Sequence, residues 1–109
     1  MRMRAKTPTS AALLATTLLA CQASLAAVSG QVIIKDFMYV PTTLTVKAGT
    51  TVTWANKDEE PHTVYSDTGL FRSNAIDTGE AFSFRFDTPG TYHFACTIHP
   101  RMVGTIVVE

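Results

Sequence analysis

Thr91-Tyr92-His93-Phe94-Ala95-Cys96-Thr97-Ile98-His99-Pro100-Arg101-Met102-Val103-Gly104-Thr105-Ile106-Val107-Val108 closes a chain of 109 residues and reads as strand, loop, strand. Alternation puts Tyr92, Phe94 and Cys96 on one face and His93 on the other. The same period runs outward along the chain. Ala81 to Phe86 sets Phe82, Phe84 and Phe86 against Ser83 and Arg85, and Thr51 to Ala55 sets Val52 and Trp54 against Thr51 and Thr53. Gln31–Ile34, Leu44–Val46 and Thr63–Ser66 are further strand candidates. Turn signals separate the runs: Ala48-Gly49, the irregular stretch from Asp67 closed by Asp77-Thr78-Gly79, and Pro89-Gly90, placed as a type II turn wants them. No segment carries a helical period, and no internal repeat is present past the first residues. The pattern predicts an all-β fold, a small Greek-key β-sandwich of about seven to eight strands, with one wet side per sheet.

The first stretch reads differently. Arg2, Arg4 and Lys6 precede an apolar run from Ala11 to Ala20, and small residues follow at Ser24, Ala26 and Ala27. That order is a secretory signal peptide over residues 1–26, with cleavage near Ala26, leaving one domain over 27–109. The run is too short to span a bilayer. Leu18-Leu19-Ala20-Cys21 offers an alternative, a lipobox with Cys21 lipidated, although Leu19 fits that pattern poorly. The expected location is periplasmic, or a membrane-anchored lipoprotein facing the periplasm. Without the leader, six Lys/Arg stand against nine Asp/Glu, a net charge of −3 with no basic cluster, which argues against nucleic acid as a partner.

A domain of about 80 residues buries a modest core and often needs a staple. A disulfide cannot supply it once Cys21 is removed or acylated, because Cys96 is then the lone cysteine. An unpaired cysteine in an exported protein asks for another explanation, and metal ligation is one. Cys96, His99 and Met102 follow one another as C-x2-H-x2-M on one short loop, and Pro61-His62 opens an upstream strand candidate. Two imidazoles, a thiolate and a weak axial thioether are the donor set of a mononuclear blue-copper site, one ion cycling between Cu(II) and Cu(I). Taken singly, each residue has a plainer reading: Cys96 a buried thiol, His62 a loop histidine, Met102 core filler. Their joint spacing favours Cys96, His99 and Met102 as ligands, and the family resemblance that follows implies His62 as the fourth. His93, on the opposite face, stays outside the site. Asp58-Glu59-Glu60 reads as a solvated loop, with docking as the alternative role.

Gly90-Thr91-Tyr92 ahead of the loop and Gly104-Thr105-Ile106 after it resemble the cupredoxin family, and within it the amicyanin/plastocyanin-like group. The likeness extends over Phe37-Met38-Tyr39-Val40-Pro41 and Val46 to Trp54, and covers residues 32 to 109. It implies a copper-bearing sandwich that carries single electrons between larger redox proteins and is not an enzyme. One departure stands beside His62: the group typically has Asn there, and this chain has Thr63, whose hydroxyl could reach Thr97 instead. Ile98 and Arg101 also differ from the loop that amicyanins often carry, which bears on partner choice.

The resemblance implies transient docking of a redox donor and acceptor near His99, by a monomer. A periplasmic copper-binding or chaperone protein is the alternative function. Such proteins favour several Met or His ligands, whereas only Met38 and Met102 remain past the leader. An oxidase or reductase domain would need a further copper, and His93 is the one histidine left for it.

Overall fold

The computed structural model describes residues 29–109, and the signal-peptide and Cys21 expectations lie outside them. Eight strands follow in order: β1 Ser29–Lys35, β2 Met38–Val40, β3 Thr43–Val46, β4 Thr50–Asn56, β5 Tyr65–Ser66, β6 Ala81–Phe86, β7 Gly90–Ala95 and β8 Val103–Val108. They form two four-stranded sheets, β2-β1-β4-β6 and β3-β8-β7-β5. The expected all-β sandwich is what the chain adopts.

The faces follow the alternation. Val52, Trp54, Phe86 and Phe94 are buried, and Phe82, Phe84 and Tyr92 pack partly buried against them. On the wet side Thr53 and Ser83, directly opposite in register, share a 2.7 Å hydroxyl contact. Trp54 sits at the centre, its ring centroid 5.3 Å from Phe94 and 5.7 Å from both Phe71 and Phe82. Truncating a buried aromatic of this kind costs roughly 3–5 kcal/mol. Gly104 is required where β8 crosses Phe94, because a Cβ there would collide with that ring.

Three local expectations change. Pro89-Gly90 does not close a type II turn: Gly90 is the first residue of β7, already paired with Val108. The Thr63–Ser66 candidate shortens to Tyr65–Ser66, because Thr63 turns its N–H toward Cys96 and His62 bridges to Ile76 instead. Met38–Val40 forms a strand that alternation alone did not mark, joined to β1 by a two-residue turn, Asp36-Phe37.

The pairing brings the functional segments to one rim. β1 runs parallel to β4, so Ile34 lies beside Asn56 and the Asp36-Phe37 turn stands next to the loop that leaves β4. Lys57 N–H donates to Ile34 C=O at 2.8 Å and joins the two. In the second sheet Ala95 pairs with Tyr65, which places Cys96 beside Thr63.

Candidate metal centre

The loop after β7 is closed by its own backbone. Met102 N–H donates to His99 C=O at 2.8 Å, and Cys96 N–H donates to Met102 C=O at 3.2 Å. This folds three donor residues into one tight turn whose ends already belong to paired strands. Cys96 and Met102 are buried, His99 is half-buried, and Ile98 and Pro100 are exposed.

His62 comes from the other side. It leaves Pro61 in extended backbone and exchanges two hydrogen bonds with Ile76, of 3.1 and 2.7 Å. Its ring is completely buried. One donor atom each from His62, Cys96 and His99 lies within 4.8 Å of the others, and Cys96 Sγ is 3.8 Å from His99 Nδ1. Met102 joins His99, Ile98, Pro100, Arg101 and Phe37 around a cavity of about 490 Å³ at the rim. Three of the four expected residues therefore bring their donor atoms together, and Met102 lines the rim cavity beside His99. His93 is exposed on the outer face and bonds Thr105 Oγ1 at 3.1 Å, away from the cluster.

Thr63 is held from three sides. Tyr39 donates its hydroxyl to Thr63 C=O at 2.7 Å, and Thr97 N–H donates to Thr63 Oγ1 at 2.8 Å. The two threonine hydroxyls stand 2.9 Å apart, so the substitute contact expected for Thr63 and Thr97 is made. So placed, Thr63 aims its N–H at Cys96 Sγ at 3.4 Å and its hydroxyl at 3.6 Å. Burial alone would push the Cys96 thiol up; the Thr63 donors, with His99, outweigh it and bring the pKa from 9.0 down to about 6. The thiolate is the form that binds a metal. Burial also raises the Tyr39 hydroxyl, with Cys96 and Tyr65 adding to it, so Tyr39 remains a donor.

Asp58 was expected in a solvated loop with Glu59 and Glu60. The two glutamates are exposed, but Asp58 is buried. Its carboxylate accepts from Asp36 N–H at 2.6 Å and Phe37 N–H at 2.9 Å, and its Oδ2 lies 2.9 Å from His62 Nε2. Burial pushes its pKa up, but these hydrogen bonds prevail and hold the carboxyl below the ordinary carboxylate range. Asn56 fixes the loop around it: its Nδ2 donates to Glu60 C=O at 2.9 Å and Ile76 C=O at 2.8 Å, and its Oδ1 accepts from Asp58 N–H at 2.8 Å.

With Nε2 engaged by Asp58, His62 Nδ1 is left buried with no hydrogen-bond partner. A buried polar atom without a partner is costly in a native structure and points to a bound group. A thiolate-forming sulfur and a second imidazole stand at the same place, and the donor set suits copper.

The family model of the cupredoxin-like domain matches residues 9–108. The chain belongs to the cupredoxin family. This cupredoxin is 39% identical over 74 residues to amicyanin-alpha of Methylorubrum extorquens, covering 59% of this chain and 58% of that one. It is 36% identical over 85 residues to plastocyanin of Scenedesmus fuscus, covering 66% of this chain and 87% of that one. Among solved structures it resembles a purple cupredoxin from Nitrosopumilus maritimus, with a TM-score of 0.68 and 35% identity over 73% of this chain and 99% of that one. The cupredoxin spans about three-fifths of the length of the amicyanins it matches.

Sequence reasoning missed Asp58 and Phe37. Phe37 stands edge-on to both imidazoles, its ring centroid 5.3 Å from His62 and 4.9 Å from His99. The one available signal was position: Asp58 lies four residues before His62, and Asp36-Phe37 falls between two apolar runs.

Proposed function

We propose that this cupredoxin holds one copper ion through His62 Nδ1, Cys96 Sγ, His99 and Met102 and carries single electrons between redox partners. The buried, unpartnered Nδ1 of His62 beside a sulfur poised to ionise carries the reading. Copper bound there supplies a one-electron change between Cu(II) and Cu(I). The chain's own residues do the rest. Thr63 holds Cys96 as a thiolate by two donors. His99, half-buried among exposed apolar neighbours, is the edge nearest solvent and the point of contact for a partner. Met102 would add a weak thioether donor from the end of the same loop. A sandwich that fixes His62 through its bridge to Ile76 and Cys96 at the end of β7 keeps the donors in place through a change of oxidation state, which makes transfer fast. The protein acts as a carrier and not as an enzyme. Residues 1–26 direct export to the periplasm and are removed, unless Cys21 is lipidated.

Addition of Cu(II) to the metal-free protein should give an intense visible thiolate band and a reversible one-electron couple. Cys96→Ser should keep the fold and lose the colour completely, since a hydroxyl cannot replace thiolate charge transfer; a variant that stays blue overturns the donor assignment. Met102→Gln should keep copper and lower the reduction potential, because a harder axial oxygen favours Cu(II). Retention of Cu(I) alone, with no coloured Cu(II) form, would favour a copper-handling role instead.

A further inference from the structure

The turn between β1 and β2 is a two-residue hairpin connection, Lys35 pairing with Met38 across Asp36 and Phe37. Both turn residues have positive φ, 55° at Asp36 and 60° at Phe37. That conformation is the mark of a type I′ turn, where Asp-Gly or Asn-Gly is strongly preferred. Asp36 suits it, but the second position holds a bulky phenylalanine that L residues of its kind rarely place there. Strain of this sort persists only where surrounding structure enforces it. Here the enforcing group is the Asp58 carboxylate, which accepts both turn N–H groups.

The side chain that takes this unfavourable position is 47% exposed, so core burial does not explain it. Its ring instead stands nearly perpendicular to both imidazoles, at interplanar angles of 86° with His62 and 82° with His99. It also lines the rim cavity with His99 and Met102. The second oxygen of Asp58 serves both ends, bonding Phe37 N–H and His62 Nε2, each at 2.9 Å. Asp58 is itself fixed, since its N–H donates to Asn56 and its C=O accepts from Thr78 Oγ1 at 2.6 Å.

We propose that Asp58 is the positioning residue of the centre: one carboxylate keeps the His62 proton on Nε2, leaving Nδ1 for the metal, and clamps the strained turn that holds Phe37 as a cover over the two imidazoles. The proposal rests on the copper reading of the same residues. The orientation of His62 and the shielding of the site are thereby one device, and loosening Asp58 undoes both. A carboxylate behind a metal-ligating imidazole raises its basicity, so the device also favours Cu(II).

The test compares the full chain with Asp58→Asn and Phe37→Gly, metal-free and copper-loaded. In Asp58→Asn one acceptor oxygen becomes an NH2 donor, so three N–H groups can no longer all be served. Without metal, nitrogen-15 NMR should show the His62 proton losing its single place on Nε2, and the Asp36 and Phe37 amides should exchange faster. With copper, Cu(II) affinity should fall about 10- to 100-fold. Cu(I) affinity should fall less, so the potential rises by about 59 mV for each tenfold difference. Phe37→Gly suits the turn and leaves Asp58 in place. It should keep the His62 proton on Nε2 but release copper to a chelator faster. Unchanged tautomer, amide exchange and affinity in Asp58→Asn would overturn the proposal, as would release at the parent rate from Phe37→Gly. A parent chain that takes up no Cu(II) sinks the copper reading instead, and the metal-free NMR then decides the positioning role alone.

Discussion

The loop from Cys96 to Met102 and the segment from Asn56 to Thr63 meet at one centre, but they are held there by different means. The loop is local. Three donor residues lie within a few positions of each other, backbone hydrogen bonds close it, and its tip carries exposed Ile98 and Pro100. The other segment is irregular, with Asn56, Asp58, His62 and Thr63 buried among exposed neighbours, and side chains fix it: Asn56, Asp58 and Thr63 together bond partners on the β1–β2 turn, at Ile76 and on the ligand loop. The loop brings Cys96 and His99 together, whereas the other segment holds His62 through Asp58 and bonds Cys96 Sγ through Thr63. Damage to the two should therefore look different, with stability lost in one and surface chemistry changed in the other.

Asn56→Ala should show the contrast most strongly. It leaves Glu60 C=O and the buried Asp58 N–H without their partners and takes from Ile76 C=O one of its two donors, the other being His62 N–H, at a cost of about 2 kcal/mol. Denaturant unfolding of the metal-free protein measures it. A loss near zero would mean that the buried segment is not held as described.

A second test exploits the meeting point of the two regions. The Cys96 pKa is depressed in the folded state, so ionisation contributes stability that is complete above the ordinary thiol value and is lost as pH falls through the folded one. The metal-free protein should lose stability between about pH 9 and about pH 6. Asp58, also depressed, adds a further loss at acid pH below the ordinary carboxylate range. Thermal unfolding of the parent and of Cys96→Ala over that range checks the first part, because the variant should lack the upper step.

Thr63→Val should act more gently. It removes the hydroxyl contacts to Thr97 and Cys96 while keeping the backbone donor, at a cost of about 1 kcal/mol. Fewer hydrogen bonds to the sulfur make it a stronger donor to Cu(II), so voltammetry should find a lower potential. A rise would count against the hydroxyl as a donor to Sγ. The smallest effect on stability belongs to the loop tip: Ile98→Ala should change unfolding free energy by less than about 0.5 kcal/mol. If Ile98 is part of the partner contact, the same variant should slow electron exchange with a redox partner, which stopped-flow kinetics would show.

Alternation and spacing alone determined the two-sheet sandwich, the burial of Val52, Trp54 and Phe94, the outward place of His93, and the closeness of Cys96 and His99 on the loop. These features are local: a period of two decides a face, and C-x2-H-x2-M needs only a tight turn to bring its members together. Tertiary structure decided the rest. Asp58 looked like its solvated neighbours Glu59 and Glu60, because nothing within the loop distinguishes a carboxylate that will meet two N–H groups more than twenty positions away. Phe37 carried no mark of its own between two apolar runs, since the strain of its turn and its place beside two imidazoles arise only when β1 and β4 lie side by side. Thr63 likewise acquires its role from a partner 34 positions distant. A hydrogen bond depends on where two chains of residues end in space, and in a sandwich that is set by strand pairing, to which the local pattern of polar and apolar residues is blind.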